Sequence, residues 1–154
     1  MNKFSKLQCL LLAGVCGGLA EVIWISLYSL ITNAPLASIG TAIATTVYPT
    51  SSELVLAPVL GIVIHMSLSV LLALGFGLLI WPIIDRVMHF KQAAMIASVI
   101  TLAIVWKINF FVLLPVWNPE FIGLLPLSIT LVSKLLFGVA MGMVLTLTQQ
   151  KSIA

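Results

Sequence analysis

The chain has 154 residues, of which 62% are apolar and 7% charged, with a net charge of +3. A domain of this size cannot hide so much apolar surface from water, and its seven basic residues are too scattered to track a phosphate backbone. A soluble enzyme, a disordered chain and a nucleic-acid-binding module are therefore excluded, which leaves a polytopic membrane protein with a mean hydropathy of +1.26.

A helix needs about 20 apolar residues to cross a bilayer. Four stretches qualify, at about 7–31, 54–84, 93–116 and 124–147. None alternates as a barrel strand does. The expected fold is an all-α integral membrane four-helix bundle, with residues 1–154 forming a single transmembrane domain.

Span 1 opens like a signal peptide, with Lys3 and Lys6, an apolar run and the small-residue site Gly18-Leu19-Ala20. A signal core, however, is only about 7–15 residues long. Here the apolar run continues through Val22-Ile23-Trp24 to Ile31, so an uncleaved span is expected. Cys9 and Cys16 lie seven residues apart on this span. That is about 10 Å along a helix, too far for a disulfide.

The linker from Asn33 to Ser52 is apolar but broken by Pro35 and Pro49. Leu36, Ile39, Ile43 and Val47 recur in it at helical spacing. This predicts a short amphipathic helix on the outer face between spans 1 and 2, with a packed or re-entrant loop as the alternative. Spans 2 and 4 each begin near a proline, Pro58 and Pro126, where a missing N–H costs little. An ionisable residue follows each proline, so the two hairpins carry a faint internal likeness. Trp24, Tyr48, Trp81 and Trp117 fall near span ends, as interfacial anchors do. Trp106 falls inside its span and is expected to pack within the bundle.

Orientation follows from the basic residues. Lys3, Lys6, Arg86, Lys91 and Lys151 all fall on one side of the four spans, while the other side carries Glu53 and Glu120. Both termini are expected in the cytoplasm, in a multi-pass inner-membrane protein. His89, in the basic turn, is expected to meet lipid headgroups.

Each span also carries one ionisable residue well inside it: Glu21, His65, Lys107 and Lys134. A lysine at a helix centre costs about 2.5–3.5 kcal/mol on insertion scales, so each should face the bundle interior or a wet cavity. At 1.5 Å per residue, all four lie roughly 15–21 Å from a membrane face, in one layer. The steps Gly14-x-x-x-Gly18 and Gly138-x-x-x-Gly142 would let spans 1 and 4 approach closely and antiparallel. With Gly14 beside Gly142 and Gly18 beside Gly138, Glu21 falls within a residue of Lys134, which predicts an ion pair. Such a pair can carry function or merely fix helix register.

Lys107 and His65 are then left over. Lys107 would be neutral, would bind an anionic group, or would meet an acidic residue of a partner. His65 shares a small-residue stripe with Gly61 and Ser69, and a cavity between spans 2 and 3 follows. Asn109 points elsewhere, and Thr101, Ser128, Thr130 and Ser133 can bond back along their own helices. No catalytic set assembles at one depth, and enzymatic action is the weaker expectation. Apart from one axial haem position that His65-Met66 could offer, nothing suggests a metal or cofactor.

The pattern resembles a loose group of uncharacterised small four-helix bacterial inner-membrane proteins. The shared elements are Ala13-Gly14 to Glu21-Val22-Ile23-Trp24, the Gly61-x-x-x-His65-Met66 step, Trp106 with Pro115, and the Gly138/Gly142 step. In that group the ionisable position of span 4 is often His, where this chain has Lys134. The resemblance implies a fold and no activity. Two readings stand. One is a small carrier or channel for an anion or protons, working as a homo-oligomer. The other is an accessory or assembly subunit bound to a membrane-protein partner.

Overall fold

The computed structural model describes residues 5–88 and 92–150. Lys3, His89, Lys91 and Lys151 lie outside the described residues. The described chain is helical, and among its helices four are long and apolar enough to cross a membrane. These are α1 (Lys6–Thr32), α3 (Ala57–Asp85), α4 (Ala93–Trp117) and α6 (Leu127–Gln150). Two shorter helices, α2 (Leu36–Val47) and α5 (Pro119–Ile122), cap one end of the bundle. The start of α1 and the end of α6 lie toward the other, here called the terminal end.

Local chemistry sets the boundaries. The hydroxyl of Ser5 accepts from Gln8 N while Gln8 Oε1 accepts from Ser5 N, a reciprocal cap that starts α1. Asn33, in the left-handed conformation at φ 55°, ends it. In α3 and α4 the helix widens for one turn, where Trp81 N donates to Phe76 O and Leu114 N donates to Asn109 O. A proline follows each wide turn, Pro82 and Pro115. A proline ring collides with the carbonyl four residues back and offers it no N–H, and an extra residue in the preceding turn relieves both faults.

The helices pack as an open row. α4 lies against α6, α6 against α1, α1 against α3, and α2 against the cap end of α3. Close contact between spans 2 and 3 is concentrated at the terminal end, where residues 81–85 of α3 meet α4. At the cap end α5 reaches α2. The side-chain amide of Asn118 holds them together, donating to Ala42 O at 3.1 Å and to the Thr46 hydroxyl at 2.9 Å.

The glycine steps do not meet one another, which corrects the expected pairing. A Cβ on Gly14 would stand 2.6 Å from Val70 Cα, and one on Gly18 would stand 2.8 Å from Ser69 Oγ, so this step receives α3. A Cβ on Gly138 would stand 2.7 Å from Val99 Cα, and Gly142 packs on Met95, so that step receives α4. Spans 1 and 4 do pack together, but through Gly17, which lies under the ring of Phe137. A glycine shows that some backbone comes close; it does not say which one. In α4 the close approach carries a hydrogen bond as well, from the fully buried Ser98 hydroxyl to Gly138 O at 2.7 Å.

Candidate functional site: a polar cluster in a largely apolar cavity

The terminal half of the bundle is filled by Leu10, Ala13, Ala73, Phe76, Ala97, Leu102, Phe137 and Met141, all buried. Toward the cap end the helices part around a cavity of about 1140 Å³. It lies between spans 2 and 3, with Leu68 and Leu72 on one wall and Val105 and Asn109 on the other. The apolar stripe of α2 that the sequence displays, Leu36, Ile39, Ile43 and Val47, faces this cavity. A second, smaller cleft of about 350 Å³ continues between the same two spans toward the terminal end, sharing Leu68, Leu72 and Val105.

Glu21, His65, Ser133 and Lys134 line the cavity together. Glu21 is buried, 8% exposed. Its Oε2 accepts from Lys134 Nζ at 2.8 Å, and its Oε1 accepts from the Ser133 hydroxyl at 3.0 Å. His65 Nε2 stands 3.7 Å from the same Oε2 and is buried without a hydrogen-bond partner. Lys134 Nζ also lies 5.7 Å over the Phe137 ring, a cation–π contact. One carboxylate of α1 is thus shared by an ammonium and a hydroxyl of α6 and an imidazole of α3. An ammonium has three donors, and one is committed to Glu21, so two remain for an incoming oxygen.

Three of the four ionisable residues expected in one layer meet here. Lys107 does not. It lies on the exposed face of α4, and its expected interior placement is corrected. The buried face of α4 runs through Ala94, Ala97, Ser98 and Leu102. Lys107 follows Leu102 by five residues, which turns it about 140° away around the helix. Depth along a helix and direction around it are independent, and the shared depth carried no information on direction. Asn109 lines the cavity from α4 instead. With Lys107 outside, the cluster holds one acid and one lysine, and the surplus positive charge expected of the layer is absent.

Ser133 joins the site although its spacing suggested only a bond to its own helix. It makes that bond too, to Thr130 O at 2.8 Å. Adjacency to Lys134 was the available signal. Thr130 likewise accepts from Trp106 Nε1 at 3.0 Å, and Trp24 Nε1 donates to Ile129 O at 3.1 Å, so two tryptophans tie α6 to its neighbours. Tyr48 and Trp117 are exposed near the cap end. No protein-family model, curated protein or solved structure matches the chain.

Proposed function

We propose that the protein is a small inner-membrane carrier for an amphipathic anion moved together with a proton. In this reading both termini are cytoplasmic and the cavity opens toward the outer face. The observation that carries it is that the ionisable residues lining a largely apolar cavity, Glu21, His65 and Lys134, are gathered into one cluster.

Walls of Ile, Leu and Val strip water from whatever enters, so a ligand polar over its whole length would lose hydration without compensation. A molecule with an apolar body and one anionic head fits better. Its head can take the two free donors of Lys134. It also brings a charge into a site whose own pair is neutral, and a proton on His65 Nε2 balances that charge. The groups facing His65 are Glu21 from α1 and Lys134 from α6, and α2 contributes no ionisable residue. The gap between spans 2 and 3 gives an apolar body a route from the lipid, and the wide turns in α3 and α4 are the points where its walls can flex.

Decanoate, with decanol as control, is the probe. The protein in lipid nanodiscs should bind decanoate in preference to decanol and take up protons from a weakly buffered solution as it binds. Lys134→Gln should abolish the preference, and His65→Gln should abolish the proton uptake. Equal affinity for acid and alcohol would end this reading. A second reading, an accessory or assembly subunit of a larger membrane complex, is favoured by one separate observation, the exposed Lys107.

A further inference from the structure

Lys107 sits well inside the longest apolar stretch of α4, 14 residues from Ala93 and 10 from Trp117, roughly 21 and 15 Å along the helix. It is exposed, and so are Ile100, Ile104, Ile108 and Phe111 around it on the same face. Helical side chains lean toward the helix N-terminus. The lysine therefore leans away from Trp117, the nearer end of the span, and stretching to headgroups there runs against its own geometry.

An ammonium inside a bilayer needs a counter-charge. The chain cannot supply one. Its four acidic residues are all described. Glu21 is buried and already shared by Lys134 and His65. Glu53 closes the short turn after α2, Asp85 ends α3 and Glu120 lies in α5, all at helix ends. A second copy carries the same set at the same depths, so self-association leaves Lys107 uncompensated.

We infer that the Ile100–Ile104–Lys107–Ile108–Phe111 face of α4 docks a transmembrane helix of another protein, one that carries an Asp or Glu near mid-membrane. The isoleucines supply a smooth apolar surface for the partner helix, and the lysine fixes its register through a charge pair, as polar residues do between membrane helices. This deepens the accessory-subunit reading and does not depend on what the cavity binds.

The test uses the full-length protein in its native membranes, with a benzophenone amino acid at Ile104 or, separately, at Ile108. Illumination should give an adduct with a foreign membrane protein whose cross-linked peptide lies in a span containing a carboxylate. Adduct yield should fall by roughly tenfold or more in Lys107→Leu and persist in Lys107→Arg. Replacing the partner's carboxylate by its amide should give the same loss. Adducts to lipid alone, to a second copy, or to a span without a carboxylate would overturn the inference, as would a yield indifferent to Lys107→Leu. If the leucine variant does not accumulate, Lys107→Gln makes the same comparison with a polar side chain. Decanoate binding should be unchanged in these variants, so failure of the docking surface and failure of the cavity reading are told apart.

Discussion

The two halves of the bundle are made of different residues. In the terminal half the facing positions are small: Ala13 and Gly14 on α1, Ala73 and Gly77 on α3, Ala94, Ala97 and Ser98 on α4, Gly138 and Gly142 on α6. Backbones come together there, and Leu10, Phe76, Phe137 and Met141 fill what remains. In the cap half the same helices present Ile25, Ile62, Val105 and Phe110 to a space of about 1140 Å³. α2 rests on α3 there through Gly40 and Gly61 and turns its apolar stripe to the same space. Small residues close this protein and larger ones hold it open. The polar cluster stands at the boundary between the two regimes.

The hardest way to break that boundary is to leave its buried carboxylate alone. Lys134→Ala removes the ammonium from Glu21 and should cost about 3–5 kcal/mol, as loss of one partner of a buried pair does. Thermal unfolding in a mild detergent measures this. Glu21→Ala combined with Lys134→Ala should recover a large part of the loss. A double variant no more stable than Lys134→Ala would show that the pair is not the unit holding α1 to α6. Next in size is the terminal half itself. Gly138→Leu forces a side chain into the Val99 backbone and should cost about 1–3 kcal/mol or more. The effect should appear in the same unfolding measurement, with binding lost only because the fold is lost.

The four spans, a short helix within the 33–52 linker and the Glu21–Lys134 pair are all legible in the sequence. Apolar length alone sets the spans in a bilayer, and two antiparallel helices bring residues of equal depth to one level. What was not legible is direction around the helix axis. The glycine spacing sets Gly14 and Gly18 against span 4, whereas they lie against span 2. The cost of a charge in the bilayer puts Lys107 inside the bundle, whereas it lies outside. The spans are apolar on nearly every face, so amphipathic periodicity, which tells inside from outside in a soluble helix, is weak in them. The ion pair survived the wrong glycine pairing because it depends on depth and adjacency of the two helices, and both were right. Ser133 and Asn118 were missed for a related reason: their bonds reach across helices whose relative rotation the sequence did not reveal.

A smaller effect would sharpen the comparison at the cap. Asn118→Ala deletes the bonds from α5 to Ala42 O and the Thr46 hydroxyl. It should cost about 1–2 kcal/mol and loosen α2. A cysteine placed at Ile43 should then react faster with a membrane-impermeant maleimide than it does with Asn118 intact. Equal rates would mean that α2 is held by its packing on α3 and that Asn118 is incidental.

The smallest expected change in stability is also the most discriminating, because one side chain is placed in both halves. Ile43→Trp puts an indole into the cavity, where open volume already exists. Stability should change by less than about 1 kcal/mol, since overpacking is costly only where there is no room. Ala97→Trp puts the same indole between α4 and its neighbours, where Ala97 is 5% exposed within the core, and should prevent folding. Decanoate binding then separates occupancy from collapse. Ile43→Trp should remain folded and lose binding by filling the site, and binding retained at wild-type strength would place the ligand elsewhere. A cavity kept open by its own wall residues should tolerate being filled and cease to bind, whereas a gap that merely reflects loose packing should gain stability when filled.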